Sequence, residues 1–242
     1  MDLEICVNSI QSAYNAKAGG ATRIELCQAL EQGGTTPSYS TIEYCTNELK
    51  LRTYVLIRPR TGNFIYNSLE FDNIRREVIV CRQLGATGVV VGFLDNNLDV
   101  DISKTKEIVD LAGEMEVTFH RAFDICRNPY QALEEIISLG CHRLLTSGQE
   151  NSAEQGAELI AKLVEKAQGR IIIMPGAGIK PSNIAYIEQT TAATEFHSTA
   201  AADFQDKAYK GEVVSFAAIP AREGVIRFTR KDIVSELVNN TL

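Results

Sequence analysis

Residues 83–93 carry the sequence Gln83-Leu84-Gly85-Ala86-Thr87-Gly88-Val89-Val90-Val91-Gly92-Phe93. The glycine after Leu84 is typical of a helix C-terminus, and the β-branched run that follows is typical of a buried parallel strand. The same joint between helix and strand returns at Ser138-Leu139-Gly140-Cys141. A joint that repeats in this way indicates a chain of alternating helices and parallel strands.

The same alternation of apolar runs and amphipathic stretches gives about eight units of strand and helix along the 242 residues. The predicted strands cover residues 3–7, 23–27, 53–57, 88–93, 116–120, 142–146, 170–174 and 194–197. The predicted helices cover residues 9–19, 38–49, a stretch ending at 84–85, and residues 102–111, 129–139, 154–167 and 182–190. Because a (β/α)₈ barrel needs about 250 residues, the pattern predicts a single-domain α/β TIM barrel. Its core spans about residues 1–200, and a C-terminal extension spans about residues 201–242.

An open doubly wound sheet is the competing architecture. It usually carries a GxGxxG loop after the first strand. Here Cys6-Val7-Asn8-Ser9 occupies that place. The barrel is therefore the favoured fold.

The charge and cysteine content narrow the classes of function. A net charge of −7 leaves no broad basic surface for nucleic acid or an anionic membrane. No apolar run reaches the roughly 18 residues of a membrane span, and the first residues are acidic where a signal peptide is basic. The six cysteines form no CxxC pair. We expect a cytoplasmic protein that binds neither nucleic acid nor a membrane.

Polar residues alternate with apolar ones along several predicted strands. Residues i and i+2 share a face of a strand. Their apolar neighbours, such as Ile5, Ile24 and Phe119, suit the face that packs on helices, so the polar set is predicted to point into the barrel. That set comprises Glu4, Cys6, Asn8, Glu25, Cys27, Thr118, His120, Glu195 and His197. It serves either internal salt bridges, for example of Glu25 with Arg23 or with a barrel histidine, or a site that uses its charges.

Arg58-Pro59-Arg60 follows the third predicted strand and puts two guanidinium groups at the barrel rim. Guanidinium binds carboxylate or phosphate in a fork, so Arg58 and Arg60 are candidate anion ligands. The alternative is a pair of surface ion pairs with the acidic residues that the chain has in excess.

The fifth predicted strand ends in Phe119-His120-Arg121-Ala122-Phe123-Asp124. Catalytic loops of such barrels lie at the ends of strands. His120 is therefore a candidate general acid or base, with Asp124 to orient it or bind a ligand. A core histidine held by a backbone carbonyl is the alternative.

Glycines follow the seventh predicted strand in Met174-Pro175-Gly176-Ala177-Gly178-Ile179. Bare glycines let backbone N–H groups approach an anion, and barrels often hold phosphate after strands seven and eight. Gly176 and Gly178, with Ser147 after the sixth strand, are candidate anion-binding residues. Gly178 equally suits a steric need of the turn.

The candidate metal ligands are the thiols of Cys6 and Cys27 on adjacent strands, together with His120 and His197. Thiolate with imidazole suits Cu(I) or zinc. No close sequence spacing of a dedicated metal loop supports them.

The chain resembles the CutC family, described as copper homeostasis proteins. The matching phrases are ATRIELC at 21–27, GGTTPS at 33–38, IRPRTGNF at 57–64, FHRAFD at 119–124, LTSG at 145–148 and EFHS at 195–198. The resemblance implies a cytoplasmic barrel that commonly self-associates as a homo-oligomer and binds or handles copper. It implies no particular reaction.

Three hypotheses follow. The first is a copper homeostasis protein that binds copper through Cys6 and Cys27 with a histidine. The second is an enzyme acting on a small anionic metabolite, phosphorylated metabolites included, in which Glu25, His120 or His197 moves a proton. The third is a scaffold whose tail after residue 200 mediates assembly.

Overall fold

Eight parallel strands form the centre of the computed structural model, which describes residues 2–206 and 224–240. They are β1 (Asp2–Val7), β2 (Arg23–Leu26), β3 (Thr53–Leu56), β4 (Gly88–Val91), β5 (Glu116–Phe119), β6 (Arg143–Thr146), β7 (Ile172–Pro175) and β8 (Glu195–Ser198). Their order in the sheet is β7-β6-β5-β4-β3-β2-β1-β8, and β7 also lies beside β8. The sheet is thus a nearly closed barrel, and the predicted (β/α)₈ fold is confirmed.

Helices alternate with the strands. They are α1 (Ile10–Gly19), α2 (Tyr39–Glu43), α3 (Ser68–Gln83), α4 (Ile102–Ala112), α5 (Pro129–Ser138), α6 (Ala157–Ala167), α7 (Ile184–Thr191) and α8 (Lys231–Asn239). Ser9 caps α1 by accepting from the N–H of Ser12, and Gly20 ends the helix at φ 97°. The predicted helix 38–49 is α2 followed by one π-helical turn, Tyr44–Glu48.

The barrel wall separates two apolar regions. On the outer face, Ile5, Ile24 and Phe119 are fully buried in the layer between the sheet and the helices. A smaller cluster of Cys6, Cys27, Tyr54, Leu56 and Val90 is separate from that layer. Because Cys6 and Cys27 have the opposite strand parity to Ile5 and Ile24, this cluster lies inside the barrel, as predicted.

The C-terminal segment returns to the barrel where it is described. After β8, strand β9 (Ala201–Gln205) pairs antiparallel with β10 (Val225–Thr229). Helix α8 then packs on α1, where the Ser235 hydroxyl donates to the carbonyl of Gly19. No helix in the described ranges has the length and apolar character needed to cross a membrane.

Candidate functional site

A cavity of about 840 Å³ opens at the carboxyl ends of the strands. This is the end where TIM barrels carry their sites. Of the residues predicted for the site, those that line this cavity are Cys6, Glu25, Cys27, Arg58, His120, Gly178 and His197. The barrel end therefore brings the two thiols, one carboxylate and both predicted histidines into one space.

An ion network fills the barrel interior. Arg23 is fully buried, and its guanidinium donates to Glu4 over 2.7 Å and to Glu195 over 2.5 Å. Arg143 donates to the same Glu195 carboxylate over 2.7 Å and also to Glu116. Burying a charge costs several kcal/mol unless it is paired, so these groups depend on one another.

His197 lies between two carboxylates. Its Nδ1 is 2.8 Å from Glu4 Oε1, and its Nε2 is 3.6 Å from Glu25 Oε2. Burial alone lowers the pKa of His197, but the charges of Glu25 and Glu4 outweigh it and raise the pKa above its usual value. Burial raises the pKa of Glu4, yet His197 and Arg23 bring it down to about 2. His197 is thus stabilised as an imidazolium.

Glu25 is the carboxyl group of this chain of groups that lines the cavity, together with His197. Burial, with the nearby charge of Glu4, raises its pKa, while His197 acts in the opposite direction. A buried carboxyl with a raised pKa holds a proton more readily than an exposed one, which is a property of general acids and bases. The alternative pairing of Glu25 with Arg23 is not formed, because Arg23 is paired with Glu4 and Glu195.

The thiols of Cys6 and Cys27 lie 3.6 Å apart, sulfur to sulfur. Cys6 also belongs to a group with Glu25 and His197, whose candidate ligand atoms lie within 4.8 Å of one another. The hydrogen bond with Cys27, burial and the charge of Glu25 raise the pKa of Cys6 well above its usual value. His120 is not part of this group. The imidazole near the thiols is that of His197.

His120 is held as a neutral ring. Burial and the charge of Arg58 lower its pKa to about 3. Its Nδ1 accepts from the N–H of Ala122 over 3.1 Å, so the single proton of the neutral ring is on Nε2. A Cβ at Gly92 would lie 2.3 Å from the imidazole, so a glycine is needed there to leave room for it. The neutral ring therefore presents Nε2–H as a hydrogen-bond donor.

The model of the CutC family matches residues 1–202, which include every strand of the barrel. The chain belongs to the CutC family. A family protein CutC from Chromobacterium violaceum is 50% identical over 198 residues, 82% of this chain and 80% of that protein. One from Parabacteroides distasonis is 48% identical over 199 residues, 82% of each chain.

Solved structures support the same assignment. A crystal structure described as that of a copper homeostasis protein CutC from Streptococcus agalactiae has a TM-score of 0.79. It is 30% identical and covers 82% of this chain and 98% of its own. Phosphoribosylanthranilate isomerase from Thermotoga maritima has a TM-score of 0.58 at 10% identity, covering 99% of this chain and 98% of its own. That likeness shows only the barrel fold.

The two rim arginines of this CutC chain have different surroundings. Arg58 is buried and lines the cavity, where its guanidinium donates to the carbonyls of Gly34 and Gly62. Arg60 does not line the cavity. It pairs with Glu70 over 2.5 Å and donates to loop carbonyls, including that of Asn63. The structure therefore does not bring the two predicted anion ligands together, because only Arg58 lines the cavity.

Asp124 does not orient His120. Its carboxylate accepts from the Thr146 hydroxyl, from the N–H and hydroxyl of Ser147, and from the Arg121 guanidinium. Ser147 is fully buried, and its hydroxyl also donates to the carbonyl of Glu150. Neither Asp124 nor Ser147 lines the cavity, because together they fasten the loop after β5 to the loop after β6.

The two glycines after β7 also differ. The N–H of Gly176 donates to the carbonyl of Thr146, so this group is not available to an anion. A Cβ at Gly176 would lie 2.5 Å from Leu145 and 3.4 Å from His197, so this glycine provides clearance. Gly178 has a φ of +76° and does line the cavity.

Sequence reasoning missed Arg143 as an inward residue and named Arg23 only as a possible partner of Glu25. Arg23 shares its strand parity with Glu25, which is the signal that places it inside the barrel. Arg143 is the first residue of β6, whose other residues are apolar apart from the final threonine.

Glu4→Gln is expected to destabilise the protein by about 3 kcal/mol, because it leaves Arg23 and His197 buried with one anion fewer. The measurement is the free energy of unfolding in urea. Asp2→Asn is the matched control, since Asp2 approaches the same Arg23 at 3.6 Å but its side chain is 39% exposed. Its cost is expected to stay below about 1 kcal/mol. Equal losses in the two variants would contradict the buried network.

Proposed function

We propose that this chain binds Cu(I) through Cys6 and Cys27, the function that the CutC family name of its relatives suggests. The observation that carries the proposal is the pair of sulfurs 3.6 Å apart in the wall of the cavity. Two soft sulfur ligands on adjacent strands are a donor set that favours Cu(I) over hard cations.

The surroundings of the thiols fit a metal ion. His197 and Glu25 have ligand atoms within 4.8 Å of the Cys6 sulfur, and His197 can serve as a third ligand once its imidazolium loses a proton. Both thiols are almost completely buried, which shields the bound ion from oxidants and from hard ligands in solution. Binding must release thiol protons, and the raised pKa of Cys6 makes that release a cost that the Cu–S bonds have to offset.

Cys27→Ser is expected to weaken Cu(I) binding at least about 100-fold, because the hydroxyl is a poor ligand for a soft ion. The measurement is competition of the reduced protein with a chromophoric Cu(I) chelator. Cys45→Ser is the matched control, a buried thiol in the layer between sheet and helices. Wild-type affinity in Cys27→Ser, or an equal loss in Cys45→Ser, would contradict Cu(I) binding by the pair of Cys6 and Cys27.

A second candidate function is acid–base catalysis on a small anionic metabolite. It is favoured by the size of the cavity, which is far larger than one metal ion needs and lies in the range of small-molecule sites. Glu25, backed by His197, is the proton-exchanging group, and Arg58 supplies positive charge. Lys180 and Gly178 line the same cavity and extend its capacity for an anion.

A screen of cellular metabolites for thermal stabilisation tests this candidate. A metabolite that binds the folded state is expected to raise Tm, and NMR then follows its conversion. Glu25→Gln is expected to lower turnover at least about 100-fold, whereas Glu165→Gln, on the exposed face of α6, retains it. The absence of any stabilising metabolite, or full turnover by Glu25→Gln, would exclude the second function.

The proposed location of the protein is the cytoplasm, where thiols stay reduced. All six cysteines are free, which suits that compartment. Self-association as a homo-oligomer remains part of the proposal. The half-exposed Phe204 and Ile226 on the β9–β10 hairpin are apolar side chains available for it.

A further inference from the structure

Two buried hydrogen-bond donors without a partner lie beneath the ring of Phe64. They are Nε2 of His120 and Nε of Arg58. Both residues line the cavity, and each has no more than 6% of its surface exposed. A buried N–H that makes no hydrogen bond is costly, so two of them near the same ring suggest a site for an acceptor.

The charge of Arg58 points to an anionic acceptor. The guanidinium donates to the backbone carbonyl oxygens of Gln32, Gly34 and Gly62, and no ion pair joins it to a carboxylate in the described part of the chain. Its positive charge therefore lacks a buried carboxylate partner, unlike those of Arg23 and Arg143 in the network below. An uncompensated guanidinium in a cavity attracts an anion.

Phe64 covers both donors. Its ring centroid lies 4.8 Å from that of His120 and 5.1 Å from the guanidinium carbon of Arg58. The backbone of Phe64 is fastened, because its carbonyl accepts from the N–H of Leu94 over 3.0 Å. The ring is only partly buried and lines the cavity. It can therefore expose the donors by rotating its side chain while the loop stays in place.

We infer that Arg58 and His120 form a subsite for the carboxylate group of a small-molecule ligand, and that the Phe64 ring rotates away to admit it. Two single N–H donors match the two oxygens of a carboxylate, whereas a phosphate would leave further oxygens unpaired. The neutral state of His120 keeps Nε2–H a donor throughout the physiological range. The inference rests on the second candidate function, and it places the anionic group of that function's ligand next to Arg58 and His120.

Nitrogen-detected NMR of the full-length protein tests the subsite with acetate as the probe. Acetate is expected to give saturable shifts of the Nε2–H signal of His120 and the Nε–H signal of Arg58. His120→Leu is expected to weaken acetate binding about ten-fold, because one hydrogen bond to a charged group is lost. Phe64→Ala is expected to tighten it at least about three-fold, since no ring has to move. Circular dichroism confirms that each variant is folded.

His142→Leu is the matched control, because His142 is exposed and does not line the cavity, and it should bind acetate like the wild type. Unchanged affinity in both His120→Leu and Phe64→Ala would overturn the subsite. Tighter binding of inorganic phosphate than of acetate at these two signals would overturn its assignment to a carboxylate. If acetate shifts only signals near Lys180 and Gly178, the subsite fails while the anionic-ligand function stands. If neither anion binds wild type or Phe64→Ala, both fail.

Discussion

The hydrogen-bonded ion network inside the barrel is the constraint on which the site depends. Arg23 is completely buried and donates to Glu4 and Glu195, and Arg143 shares the Glu195 carboxylate. None of these charges is tolerable alone in a packed interior. Glu4 also holds His197, so the network extends upward from the barrel interior to the cavity. The orientation of His197, and through it the environment of Glu25, follows from ion pairs deeper in the barrel.

The same cavity carries two chemically distinct sides. On one side, Cys6 and Cys27 offer sulfur to a soft ion, with His197 and Glu25 nearby. On the other, Arg58 and His120 have buried N–H groups without a partner beside the ring of Phe64. Under the two proposals, the thiols are specific to metal binding and Arg58 is specific to an anionic metabolite, while Glu25 and His197 lie near both. Substitutions of Cys27 and of Arg58 therefore test the two proposals separately.

Strand parity accounts for what the sequence could predict. The alternation of Ile5 with Glu4 and Cys6 follows from the two-residue period of a strand, and the inward polar set came from it directly. The two-residue period does not show which side chains contact one another across the barrel. Asp124 was expected near His120, four residues away, but the loop turns it toward Ser147 and Thr146. Arg60 was expected at the rim beside Arg58, but the loop after β3 directs it to Glu70 on α3. Such outcomes depend on loop conformation, which residue spacing does not determine.

A double-mutant cycle between Glu4 and His197 tests the central ion network most directly. The free energies of unfolding of the wild type, Glu4→Gln, His197→Gln and the double variant give the coupling between the two side chains. A buried, charged pair joined over 2.8 Å predicts a coupling of about 2 kcal/mol or more. Additive losses, within about 0.5 kcal/mol, would show that His197 is not held by Glu4 and would contradict the account.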